Sequence, residues 1–300
     1  MCCQVKLVEL VPSNTQRRFI KIEQQVEMKA QHKLTYASKQ LREETDLSLE
    51  HGKREIFMTG LRYLLPKIYG ALNYHAYYSF SYSALDLILS DHYKKWNFKP
   101  FNYFEFGTGE GNSLRFFLRS LKKIIKSHDV DRSQFNIFLF DSFEGLPEND
   151  IPADKNPAWQ KGQFRGTLEK IKGIVSKEFP DIVQNTKFVQ GYYDKTLTEE
   201  LRNSLANYQP SIVNIDVDYY SSAKTVLEWI YPITQDGTIF YFDDIFEYLG
   251  NLSKGEYRAI DEFNKSHLTE GFQFYPFTNF GISSFQGKVY TVNRIEYNNK

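Results

Sequence analysis

Three groups of residues in this chain have the types and spacing to do chemistry. Gly107, Gly109 and Gly111 occupy every second position in Tyr103–Asn112, YFEFGTGEGN. Glycines there tolerate positive φ and let a ligand lie against bare backbone. The apolar spacing of Ser113–Leu121 then makes a helix whose first N–H groups have no partner within it. The second group is Asp141, which closes the apolar run Gln134–Phe140, QFNIFLF. An acid ending the second strand of a nucleotide-binding sheet accepts hydrogen bonds from ribose hydroxyls. Phe143, just beyond, is placed to pack on an adenine face. The third group is two acid pairs, Asp216 with Asp218 and Asp243 with Asp244. Carboxylates crowded together repel unless a cation or protons neutralise some of them. Hard oxygen ligands of this kind suit Mg²⁺.

These residues must be held by strands and helices in alternation. Tyr103–Phe106 reads as a strand, the glycines as a turn and Ser113–Leu121 as a helix. Strands are then expected at Gln134–Phe140, Thr186–Gln190, Ser211–Ile215 and Gly237–Phe242, and late strands at Phe272–Pro276 and Lys288–Asn293. Helices are expected at Thr167–Phe179, Thr198–Leu205, Ser221–Ile233 and Gly255–Ser266, with Ser221 capping the third of these. Alternating β and α implies a parallel sheet covered by helices on both faces. Ligands bind such sheets beyond the carboxyl ends of the strands. Gly107–Gly111, Asp141, Gly191–Tyr192, Asp216/Asp218 and Asp243/Asp244 all fall at those ends.

The first hundred residues read differently. Residues 1–50 are polar and charged, with surface helices expected at Gln16–Lys29 and Ala37–Leu49. Glu55–Ile68 has an amphipathic pattern that Pro66 bends or ends. Ala71–Tyr82 is dense in aromatics and holds His75, a lone histidine that is more often structural than a ligand contact. Ser83–His92 reads as a short helix. The expected division is a mainly helical extension over 1–100 and an α/β domain over 101–300.

Composition narrows the function. The 300 residues carry 37 basic and 37 acidic side chains, which argues against a surface that coats nucleic acid. Cys2 and Cys3 are adjacent and cannot staple a fold, so a reducing compartment is expected. No apolar run reaches the ~18 residues of a spanning helix, and the N-terminus lacks a signal-peptide pattern. The expected location is cytoplasmic, with no membrane partner and no nucleic acid; a homo-oligomer is left open.

Glu105, two residues before the first glycine, gives the pattern E-x-G-x-G-x-G. That pattern resembles motif I of class I S-adenosylmethionine-dependent methyltransferases. The dinucleotide fingerprint G-x-G-x-x-G fails at its third glycine, which disfavours a nicotinamide-dependent oxidoreductase. Longer strings are more specific: FDSFEGLPE (Phe140–Glu148), WQKGQF (Trp159–Phe164), GYYDKTL (Gly191–Leu197), IDVDYYSSAKTVLEWIYP (Ile215–Pro232) and FDDI (Phe242–Ile245). Together these resemble the macrocin O-methyltransferase family, which includes metal-dependent sugar O-methyltransferases, over about residues 100–250. Asp236-Gly237 stands where that family usually has a Gly-Gly pair.

The resemblance implies a Rossmann-like class I methyltransferase sheet, mostly parallel with a late antiparallel strand. It implies S-adenosylmethionine held by Glu105, Gly107, Thr108, Gly109, Gly111 and Ser113 around the turn. Asp141, Ser142 and Phe143, then Gly191 and Tyr192, then Asp216 complete that site at the next strand ends. It implies Mg²⁺ on Asp216, Asp243 and Asp244, with Asp218 as general base; some members of the family use a histidine instead. The expected acceptor is a hydroxyl of a small molecule, a sugar or glycoside. The alternatives are a catechol-type acceptor and a non-catalytic S-adenosylmethionine-binding protein.

Overall fold

A computed structural model of the chain describes residues 75–148, 150–277 and 287–294, with the side chains of 75–79 excepted. All of these belong to the unit Lys67–Lys300. The helices expected at Gln16–Lys29, Ala37–Leu49 and Glu55–Ile68 lie outside the described residues.

Five strands form a parallel core. They are β1 (Asn102–Phe106), β2 (Asn136–Asp141), β3 (Thr186–Gln190), β4 (Ile212–Ile215) and β5 (Ile239–Phe242). β6 (Phe272–Pro276) and β7 (Lys288–Arg294) complete the sheet in the order β3-β2-β1-β4-β5-β7-β6, with β7 antiparallel to both its neighbours. β1, β2, β4 and β5 are buried almost throughout, which is why they read as near-continuous apolar runs, whereas β3, at the sheet edge, is not. Their order reverses at β1, where β2 lies on one side and β4 on the other. A crevice opens beyond the carboxyl ends at such a reversal.

Helices cover both faces. α1 (His75–Ile88) and α3 (Asn112–His128) pack together on one face, with the single turn α2 (Asp91–Lys94) and β1 between them in sequence. α4 (Leu168–Glu178) completes that layer, where Leu85, Leu114, Phe117, Ile171 and Tyr241 share one core. α7 (Tyr220–Ile230) and α8 (Gly255–Ser266) pack together over the other face, whose core holds Phe104, Phe140, Trp229 and Phe263. Phe106 and Phe140, paired across β1 and β2, stack with ring centroids 4.5 Å apart. Short helices α5 (Tyr193–Thr196) and α6 (Glu199–Ser204) bridge β3 to β4.

Two local expectations differ from the fold. The aromatic stretch before Tyr82 and the helix expected from Ser83 form the one helix α1 from His75 onward. Its buried Phe80, Ala84, Leu85 and Ile88 have helical spacing, which the surrounding aromatics masked in the sequence. α7 begins at Tyr220 and is not capped by Ser221. Instead the Ser221 N–H donates to Asp154 Oδ1 at 3.0 Å, and its Oγ donates to Oδ2 at 2.6 Å. A carboxylate distant in sequence therefore takes the capping role.

Candidate active site

The backbone ladder runs one residue past each parallel strand and draws the strand ends into line. Gly107 donates to the Phe140 carbonyl at 2.9 Å, and Gly191 to that of Asp141 at 2.9 Å. Asp216 donates to the Phe106 carbonyl at 3.0 Å, and Asp243 to that of Ile215 at 3.0 Å. The cavity above these ends measures about 1110 Å³.

The glycines of the turn do different work. A Cβ on Gly107 would sit 1.6 Å from the Asp216 carbonyl oxygen, so glycine lets the β1 and β4 turns touch. Gly111, at φ 79°, caps α3, and a Cβ there would collide with Ile171 and Ile174 of α4. Gly109 lines the cavity, and its nearest neighbour to an added Cβ is the Phe164 carbonyl at 3.7 Å. It presents bare backbone to open space.

Asp141 holds this turn. Its Oδ2 accepts the Gly109 N–H at 2.7 Å and its Oδ1 the Phe143 N–H at 2.6 Å. Burial raises the Asp141 pKa and these hydrogen bonds oppose the rise. Thr108 and Ser142 line the cavity, and the buried Thr108 Oγ1 has no hydrogen-bond partner. An orphaned buried hydroxyl costs stability unless something pairs with it. Gly191, Tyr192 and Ser113 also line the cavity.

Three of the expected cofactor residues do not face it. Phe143 adopts φ 56° and its side chain is buried in the core with residues of α3 and α4. Gly111 is engaged with α4, as above. Glu105 is fully buried, accepting hydrogen bonds from the Tyr103 hydroxyl and Ser113 Oγ, each at 2.6 Å. Its burial pushes it up to about 7. Glu105 thus braces Ser113 at the start of α3.

The acid pairs do converge. One carboxylate oxygen from each of Asp216, Asp218 and Asp244 lies within 4.8 Å of the others. Asp218 turns into this group through a left-handed backbone at φ 60°, and its N–H donates to Asp244 Oδ2 at 3.1 Å. Asp243 lines the same cavity, and its Oδ1 accepts the Tyr241 hydroxyl at 2.7 Å. The grouping therefore differs in one member from the expected set of Asp216, Asp243 and Asp244. Burial raises the pKa of Asp216 well above its ordinary value, and the charges of Asp243 and Asp218 raise it further. Asp218 is raised to about 7, by burial first and then by Asp243. Such a cluster holds protons unless a cation displaces them. An all-oxygen carboxylate set fits a hard divalent ion.

Two supporting acids escaped the sequence reading. Glu256, in the first turn of α8, is fully buried and accepts the N–H groups of Asp244 and Val217 at 3.0 and 3.4 Å. Asp154 is buried beside α7, and its carbonyl accepts the Tyr248 hydroxyl at 2.9 Å. Neither stands at a strand end, the one signal that pointed to the others. His75 opens α1, and its side chain lies outside the described residues.

A parallel sheet in this order, with a glycine turn after β1 and an acid ending β2 at one cavity, is a class I methyltransferase fold. The chain belongs to the macrocin-O-methyltransferase (TylF) family, whose model matches residues 103–271, and it is a methyltransferase. Similar solved structures include the O-methyltransferase NovP, at 18% identity and a TM-score of 0.51 over 70% of this chain and 78% of that one. CalS11, a calicheamicin methyltransferase, is similar at 19% identity and a TM-score of 0.53, over 83% of this chain and 92% of that one. No curated protein sequence matches the chain. No helix among the described residues is long and apolar enough to cross a membrane.

Proposed function

We propose that the chain transfers the methyl group of S-adenosylmethionine to a hydroxyl of a sugar or glycoside, assisted by a divalent cation. The observation that carries this reading is the junction of two features in one cavity. Gly109 offers open backbone beside Asp141, and the Asp216, Asp218 and Asp244 carboxylates converge alongside.

The cofactor is assigned to the β1 and β2 ends. Asp141, with lone pairs to spare after its two backbone bonds, is the acceptor for the ribose hydroxyls. The Gly109 backbone faces the methionyl part. S-adenosylmethionine supplies an electrophilic methyl, and a divalent ion lowers the pKa of the acceptor hydroxyl and orients it. The residues contribute alignment and exclusion of water, with the loop bearing Trp159 and Phe164 walling the cavity.

Asp216 and Asp244 are the ion's ligands in either of two arrangements. In the first, Asp243 is the third ligand and an Asp218 carboxylate oxygen takes the hydroxyl proton. The second is favoured by the 4.8 Å grouping: Asp218 is the third ligand and Asp243 keeps its bond to Tyr241.

The test is calorimetric titration with S-adenosylhomocysteine, followed by methyl transfer to a panel of glycosides and catechols with and without EDTA. Binding, with turnover on glycosides that EDTA stops, is the expected result. Turnover confined to catechols would move the acceptor class, and failure to bind S-adenosylhomocysteine would remove the activity altogether.

A further inference from the structure

Of the described residues that line the cavity, Arg165 alone is basic. It belongs to the loop between β2 and α4, and its neighbours on both sides meet the glycine turn. A Cβ on Gly166 would sit 1.7 Å from the Gly109 carbonyl oxygen, so the two backbones touch there. On the other side, the Phe164 carbonyl oxygen lies 3.7 Å from the position of a Cβ on Gly109. The loop is fixed in this place by its own hydrogen bonds. The Leu146 N–H donates to the Gln163 carbonyl at 3.0 Å, and the Gly162 N–H donates to the Leu146 carbonyl at 2.9 Å. Phe164 makes the bend in a left-handed backbone at φ 59°. Thr167 then caps α4, its side chain accepting the Lys170 N–H. Arg165 is therefore held beside Gly109 by residues that precede and follow it.

A second observation concerns charge. Among the described residues, no carboxylate pairs with Arg165. Glu110, next to Gly109, pairs with Lys170 at 3.2 Å, and Glu148 pairs with Lys161 at 2.9 Å. The positive end of the α3 dipole lies at the same turn, where Asn112 and Ser113 line the cavity. A guanidinium and a helix N-terminus beside bare glycine backbone suit a planar anion. The one anionic group of S-adenosylmethionine is its methionyl carboxylate. A carboxylate drawn from water into a cavity needs a cation or several donors to offset its lost hydration.

We propose that Arg165 pairs with the methionyl carboxylate and makes the site select the forms of the cofactor that carry it. The proposal rests on the cofactor assignment above and adds to it a residue outside the glycine motif, supplied by the loop that leads into α4. Adenosyl thioethers without the carboxylate gain nothing from Arg165. A lysine at this position would keep the charge and lose the planar fork that matches a carboxylate.

The test compares two ligands that differ only in that carboxylate. S-adenosylhomocysteine and its decarboxylated form, an adenosyl thioether ending in an aminopropyl group, are titrated calorimetrically into the full-length protein and its Arg165→Ala and Arg165→Lys variants. Arg165→Ala is expected to bind S-adenosylhomocysteine roughly tenfold or more weakly, as for a lost charge-assisted hydrogen bond, while its affinity for the decarboxylated form stays within about twofold of native. Arg165→Lys is expected to lie between native and Arg165→Ala for S-adenosylhomocysteine. Retained binding of the decarboxylated form shows that the variant keeps its fold and its adenosyl site. Equal losses for the two ligands overturn the proposal and leave Arg165 as a support of the loop. Native S-adenosylhomocysteine affinity in Arg165→Ala overturns it as well. The native titration separates the two layers. Binding of neither ligand to the native protein defeats the cofactor reading itself, whereas native binding of S-adenosylhomocysteine with an unchanged preference in Arg165→Ala defeats only the assignment of Arg165.

Discussion

Glu256 Oε2 accepts the Asp244 N–H at 3.0 Å from a position closed to solvent. Its other oxygen accepts the Val217 N–H, so one carboxylate ties the turn after β4 to the turn after β5. Asp216, Asp218 and Asp244 are all carried on those two turns.

Removing that tie should separate ion binding from cofactor binding. Glu256→Ala leaves two buried N–H groups without acceptors, at about 1–3 kcal/mol each. The melting temperature should fall, and Mg²⁺ affinity in the presence of S-adenosylhomocysteine should drop clearly while cofactor affinity stays near native. Glu256→Gln keeps one acceptor and should lie between. Calorimetric Mg²⁺ titration of both variants checks this, and native ion affinity in Glu256→Ala would remove the positioning role.

The glycine turn gives a cofactor prediction. Gly109 combines φ 49° with open space toward the cavity, so valine there is strained and fills the volume a ligand needs. Gly109→Val should abolish S-adenosylmethionine binding. Asp141→Ala should weaken it by about 1–3 kcal/mol, as expected where bonds to a charged group are lost. Native affinity in both variants would overturn the assignment of this end of the cavity.

Asp218 decides between the two arrangements of the acids. As general base, Asp218→Asn should lower single-turnover methyl transfer by ~10²–10⁴-fold at every Mg²⁺ concentration. As an ion ligand, it should lose activity that raised Mg²⁺ partly restores. Near-native rates across the whole series would exclude both roles and return attention to His75, for which His75→Ala is the companion variant.

Glu105 predicts a pH effect on stability. Burial lifts it from 4.5 to about 7. Between those values the folded protein keeps a proton that the unfolded chain releases, so this residue's contribution to stability declines as pH rises through that window. Glu105→Gln cannot ionise and should show a shallower decline. Thermal melts of the two proteins at a series of pH values across that window give the comparison, and parallel curves would contradict the buried-carboxyl interpretation.

Much of the site was legible because parallel βα alternation leaves its mark on the chain. Strands buried on both faces must be apolar, and each must stop at a residue that can turn. Gly107, Asp141, Gly191, Asp216 and Asp243 are those stops, and the crevice rule alone gathers them. β3, α8 and β6 likewise have the bounds their local patterns imply. Tertiary structure decided what depends on partners distant in sequence. Asp218 joins Asp216 and Asp244 through a left-handed backbone that no local pattern announces, while Tyr241 engages Asp243 from the same strand end. Phe143 donates its N–H to Asp141 and buries its ring in the core, and Asp154 caps a helix that begins far along the chain. Glu256 is an ordinary first-turn acid until α8 packs it against two turns. Composition and spacing set which residues reach the strand ends; side-chain packing and backbone hydrogen bonding set which way each one faces.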